Sequence, residues 1–171
     1  MTAIGLAVLA VALIGCNSND SSTGKNTLPP STTSTTPAAS AAQEEALATY
    51  RGLWSAAVKA AATSDHQSQE LRKYASYEGL AYFVGTILTN SQKGLVVKGE
   101  PKLAPHTTQV SDDKVTIADC LDDSRWLKYR ASDGQLEDNV PGGHHRTEAV
   151  VTKSSIGWRV SKITVEGTGT C

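Results

Sequence analysis

Aromatic side chains are scarce in this chain: three Trp, five Tyr and one Phe among 171 residues. All nine lie after residue 49, which leaves the first part of the chain little with which to build a core. An excess of charge of either sign is lacking too. Sixteen Lys and Arg stand against seventeen Asp and Glu, a formal charge of −1. No basic stripe is present, so nucleic acid is excluded as a partner on electrostatic grounds. No apolar run reaches the roughly 20 residues a membrane-crossing helix needs. The G-x-S-x-G elbow, the P-loop, G-x-G-x-x-G and H-E-x-x-H are all missing, which removes the commonest hydrolase, nucleotide-binding and metalloprotease signatures. His66 and His106 stand apart from the adjacent His144 and His145. Neighbouring side chains on a strand point to opposite faces, so that pair cannot share one ion. Neither a metal nor a cofactor is expected.

What is present begins at the amino terminus. Ala3 to Ile14 reads AIGLAVLAVALI, an uncharged run within the roughly 7–15 residues of a secretory h-region. Leu13-Ile14-Gly15-Cys16 then resembles the bacterial lipobox. The resemblance implies a signal peptide over 1–15, cleavage before Cys16, and a diacylglyceryl group on the Cys16 sulfur. Met1-Thr2-Ala3 departs from the pattern by carrying no Lys or Arg, and an uncleaved anchor or a plain secretory signal stand as alternatives. Residues 17–42 are dominated by Ser, Thr, Asn, Pro and Ala. Such a segment buries too little apolar surface to offset its ordering entropy. Residues 16–42 are therefore expected to form a disordered tether with an r.m.s. span on the order of 25–30 Å. The expected location is the extracytoplasmic face of the cell membrane.

Residues 43–171 are expected to form one domain with a core of its own. Ser40 and Gln43 have the form of a capping box, and Leu47, Tyr50, Trp54, Ala57, Val58 and Ala61 recur at helical spacing, which predicts a helix over 41–62. A short helix is predicted at SQELRKYA. A third carries Leu80, Phe83, Val84, Ile87 and Leu88 on one stripe, with Ser76 as its cap and Gly94 as its stop. After Gly94 the period changes from 3.6 to 2. LVVKG, KLAPHTTQV, KVTIADCL, RWLKYRA, HHRTEAVVTK and WRVSKITV read as strands, with Pro105 suiting an edge or bulge. SSIG reads as a hairpin turn, and a slip of apolar phase in the last strand predicts a bulge near Ser161.

Helices followed by antiparallel strands give an α+β fold, helices packed on one face of a curved sheet. RGLWSAAVKAA, LRKYAS, GLVVKGEP, ADCLDDSRWLKYRASDG, NVPGGHHRTEAVV, GWRV and the terminal GTC resemble a group of actinobacterial secreted lipoproteins of unknown function. Element order and spacing resemble the nuclear transport factor 2-like (cystatin-like) cone. That resemblance implies a pocket between the concave sheet face and the helices, and an Asp, Tyr or His within it where relatives are enzymes.

With Cys16 acylated, Cys120 and Cys171 remain, and outside the cytoplasm a disulfide is their simplest state. Asp119 shares a predicted strand face with Val115, Ile117 and Leu121, where Arg130 or Arg146 could pair with it. Trp126, Tyr129, Arg130, His145 and Arg146 complete the candidate pocket. The function expected is a non-catalytic binding or accessory domain, its partners the membrane through the lipid and an envelope protein or small ligand. The alternative is an isomerase, cyclase or dehydratase with Asp119 or a strand His as acid or base.

Overall fold

The computed structural model describes residues 37–171, within one compact unit, Ser34–Cys171. The expected signal peptide over 1–15, Cys16 and the expected tether as far as residue 36 of its 16–42 lie outside the described residues. Helix α1 (Pro37–Ala62) starts earlier than its periodicity predicts, and Ser40 sits inside it rather than capping it. Pro37 suits a first turn, where its missing N–H is no loss. The alanines behind it favour helix, and Ala42 and Ala46 are buried. Residues 37–42 are thus helical and pack with the domain, whose expected start is residue 43.

Helix α2 (Gln69–Tyr74) is short, and α3 (Tyr77–Gln92) carries the apolar stripe, with Phe83 and Ile87 buried. Ser76 occupies the cap position of α3 but makes no side-chain cap bond. Its amide donates instead to the Val160 carbonyl at 3.0 Å. Gly79 lets the first turn of α3 touch that same carbonyl, since a Cβ there would lie 2.4 Å from it. Gly94, at φ +66°, ends the helix as expected, with its amide bonded to the Ser91 carbonyl.

The strands are β1 (Leu95–Lys98), β2 (His106–Val110), β3 (Lys114–Asp122), β4 (Leu127–Arg130), β5 (His144–Ser154) and β6 (Gly157–Val165). Four form an antiparallel sheet in the order β2-β3-β5-β6, and β1 pairs with β4 in a two-stranded ribbon. The fold is α+β, helices packed on a curved antiparallel sheet. Strand β3 alternates as read, with Val115, Ile117, Asp119 and Leu121 buried. Val150 faces Lys162 while Val151 faces Val160, so Ser161 is the extra residue of a bulge, and its hydroxyl donates to the Val150 carbonyl. The bulge is what lets Trp158 and Val160, and then Ile163, all face the core. Tyr50, Leu53, Trp54 and Ala57 of α1 cover that face.

Candidate binding cleft

The predicted strand KLAPHTTQV is broken, and the break explains Asp119. Lys102 and Asp122 exchange both backbone bonds, and pairing resumes only at His106. Between them Pro105 has no N–H to give, and the Ala104 amide donates to Asp119 Oδ1 at 2.7 Å. Asp119 Oδ2 accepts the Tyr50 hydroxyl at 2.9 Å. Asp119 is thus a hydrogen-bonded group inside the sheet, and neither Arg130 nor Arg146, either of which could have paired with it, is its partner. Arg130 Nε holds the Asp133 carboxylate at 3.1 Å, and Arg146, directly opposite Cys120, is exposed. Asp119 is 4 % exposed and replaces a missing ladder partner beneath α1. Burial, followed by the negative charge of Asp119, pushes the Tyr50 phenol well above its ordinary range.

A cleft of about 160 Å³ lies elsewhere, between α1, α3 and the β3–β4 connection. Trp54, Tyr82, Phe83, Asn90, Asp123 and Trp126 are among its walls. Trp54 meets Phe83 and Trp126 edge-on, with centroids 5.1 and 5.9 Å apart. Trp126 is thus the one residue of the expected pocket that lines this cleft. Its indole N–H is buried and has no hydrogen-bond partner among the described residues. The Trp54 N–H also lacks one by geometry, although it lies close enough to the Tyr50 oxygen to favour the ionised phenol. Burial, and then the charge of Asp123, raises the Tyr82 phenol.

Behind the cleft, His145 Nε2 lies 3.1 Å from Asp123 Oδ1 and Nδ1 lies 2.8 Å from the Glu166 carbonyl. A neutral imidazole can donate to only one of these acceptors; a protonated ring donates to both. The same Asp123 oxygen accepts the Gly143 amide at 2.6 Å. Gly142 permits this approach, because a Cβ there would sit 2.1 Å from Asp123 Oδ1 and 2.6 Å from its carbonyl. The Pro-Gly-Gly turn thus serves one of the protein's own carboxylates. His144 points the other way, its Nδ1 3.7 Å from the Cys120 sulfur. Tyr129 lies on the β1–β4 ribbon, under the Lys98 ammonium at 4.9 Å from its ring centroid.

The Cys120 and Cys171 sulfurs are at bonding distance, 2.16 Å, which joins β3 to the terminal segment. That segment is also held by bonds from the Glu166 amide to the Arg146 carbonyl and from the Gly169 amide to the His144 carbonyl. Sequence reasoning missed Asp123, Asn90 and Tyr82. The usable cue was D-D-S at 122–124, where Asp122 Oδ1 accepts the Ser124 amide and turns the chain out of β3.

Fold and cleft together define an α+β domain with a small aromatic-walled pocket. No protein-family model matches the chain, and neither does any curated protein. Among solved structures, the intermembrane space region of the chloroplast protein ARC6 is similar at 15 % identity and a TM-score of 0.47, over 74 % of this chain and 97 % of that one. A protein of unknown function with a cystatin-like fold from Nostoc punctiforme is similar at 11 % identity and 0.44, over 72 % and 92 %. A nuclear transport factor 2-like protein with a cystatin-like fold from Novosphingobium aromaticivorans is similar at 14 % and 0.45, over 75 % and 85 %. Likenesses this distant leave function to be argued from the residues.

Proposed function

We propose that the chain is a lipoprotein of the outer face of the cytoplasmic membrane, anchored through Cys16, whose domain binds an envelope ligand in the cleft and does not catalyse. One observation carries the binding half: Trp54, Tyr82, Phe83 and Trp126 wall an open cleft, whereas Asp119 is sealed in the core by Tyr50 and Ala104. The lipobox supports the anchoring half. A tether raises the effective concentration of neighbours at the same membrane without needing tight affinity.

Two measurements test it. Cys16→Ser should abolish incorporation of labelled palmitate and release the protein from membranes; equal membrane recovery of both forms would point to an uncleaved anchor. Fractionated envelope small molecules should raise the melting temperature of the full chain. A ligand at about 100 times its Kd stabilises by roughly 2.7 kcal/mol, a shift of several degrees. Trp126→Ala should remove that response, and a response that survives it would place binding outside the cleft.

A second reading is favoured by the Asp123–His145 pair, which puts a strand His behind a carboxylate of the cleft wall. Acid–base chemistry there would require a turnover that His145→Gln lowers by a factor of about a hundred or more.

A further inference from the structure

Thiol–disulfide exchange depends on access, on which sulfur is attacked and on how readily the other leaves. The two ends of the Cys120–Cys171 bridge differ in all three respects. Cys171 is exposed, whereas Cys120 is half-buried on the outer face of β3, between the inward-facing Asp119 and Leu121. Access therefore selects Cys171 as the sulfur that an incoming thiol meets. Cys120 has a donor beside it. Nδ1 of the exposed His144, on the adjacent strand β5, lies 3.7 Å from its sulfur. A bonded sulfur is only a weak acceptor and gains little from that N–H. A thiolate gains more, because the same hydrogen bond is then made to a full charge. The contact strengthens as the S–S bond breaks, which makes Cys120 the better leaving group.

What the bridge holds is the terminal segment, and that segment reaches the cleft. The Arg146 amide donates to Thr170 Oγ1 at 2.8 Å, and the Gly169 amide donates to the His144 carbonyl at 2.7 Å. Thr168 packs on Gly143 so closely that a Cβ there would lie 2.5 Å from its methyl group. The Gly143 amide in turn holds Asp123, and the Glu166 carbonyl holds the ring of His145, whose other nitrogen faces the same Asp123 oxygen. Asp123 is a wall of the cleft. A run of direct contacts thus leads from the bridge to that wall.

We propose that Cys120–Cys171 is an exchangeable disulfide, opened at Cys171 by a dithiol reductant, and that opening loosens the hold of the terminal segment on His145 and Asp123. In the first step a reductant thiolate bonds to Cys171 Sγ and the Cys120–Cys171 bond breaks. The electron pair leaves on Cys120 Sγ, which accepts the His144 N–H. In the second step the reductant's other thiolate attacks its own sulfur in the mixed disulfide and expels the Cys171 thiolate. The two protons the dithiol gives up end on the two cysteines. The protein disulfide is reduced and the dithiol is oxidised to its own disulfide. This site is separate from the cleft, and its chemistry stands whether or not the cleft binds a ligand.

The test uses the full chain carrying Cys16→Ser, in which Cys120 and Cys171 are the cysteines that remain. It is treated with dithiothreitol at one pH, native and in urea, and samples are quenched by alkylation and weighed by mass spectrometry. The native bridge should open at a rate within about tenfold of the unfolded one. His144→Ala should slow the native reaction by about tenfold and leave the rate in urea unchanged. His144 is exposed, so its removal leaves the fold in place. With glutathione in place of the dithiol, peptide mapping after acid quenching should find the adduct on Cys171. Full reduction should also shift the ring resonances of His145. Native protection beyond about tenfold, a native His144→Ala rate within about threefold of the parent, or an adduct on Cys120 overturns the exchange site. His145 resonances that stay in place on reduction overturn the link to Asp123.

Discussion

Tyr50 donates its hydroxyl proton to Asp119 across 2.9 Å and so ties α1 to β3 inside the core. The other carboxylate oxygen takes the Ala104 amide that the broken edge strand leaves unpaired. Asp119→Ala strands both donors and should cost about 2–5 kcal/mol. Asp119→Asn should cost less, because its oxygen still accepts from Ala104 and its amide can donate to the Tyr50 oxygen. Urea unfolding midpoints of the two variants check the order.

The same contact sets behaviour in alkali. Burial and then the Asp119 charge raise the Tyr50 phenol above its ordinary 10.0, so the folded state keeps a proton that the unfolded chain gives up. Its stabilisation is complete below pH 10 and declines as the pH rises beyond it. In Tyr50→Phe this part of the alkaline decline should disappear, as thermal melts across that range would record.

Asp122 acts at the acid end. The Ser124 hydroxyl and amide, with help from Lys102, hold its carboxyl down at about 2 against an ordinary 3.8. Its contribution is present above 3.8 and is lost as the pH falls toward 2. Asp122→Asn should flatten this part of the acid unfolding curve; an unchanged curve would show that the turn is held without the charge.

The disulfide closes a loop over a separation of 51 residues, which in the chain-entropy model stabilises by roughly 4 kcal/mol. Reduction, or Cys171→Ser, should lower the melting temperature by roughly 10–20 °C. The loss should extend to His145, whose Nδ1 bonds the Glu166 carbonyl of the segment the bridge secures.

Gly142→Ala would drive a methyl group into the Asp123 carboxylate and carbonyl. Because backbone must move as well as side chain, a cost of about 1–3 kcal/mol is expected. The His145 ring resonances should shift with it, which a change confined to the loop would not produce.

Periodicity made much of this architecture legible. It reported which residues of β3 face inward, where the last hairpin turns, and the slip that Ser161 absorbs, because each is a local consequence of alternation. The pairing of Cys120 with Cys171 followed from counting. Partners that depend on distant backbone were hidden. Asp119 read as a carboxylate held by an ion pair or hydrogen bonds, but its donors could not be named, because they are a hydroxyl 69 residues away and an amide freed by a strand break. Asp123 could not be distinguished from Asp122 without the Gly142-Gly143 approach. The start of α1 was masked by Ser, Thr and Pro beside it, although its alanines pack as core.

The sheet has two outer edges, and neither offers a free template to a passing strand. At β6 the Val160 carbonyl is already taken by the Ser76 amide, with Ala75 bridged alongside. At β2 a register break between Thr107 and Gln109 kinks an exposed, polar strand that follows directly on Pro105. Cross-chain β-augmentation would have to peel off the α2–α3 junction or straighten that kink. Under the proposed anchoring, a chain held among crowded neighbours is thereby guarded against templated polymerisation, while its cleft stays open.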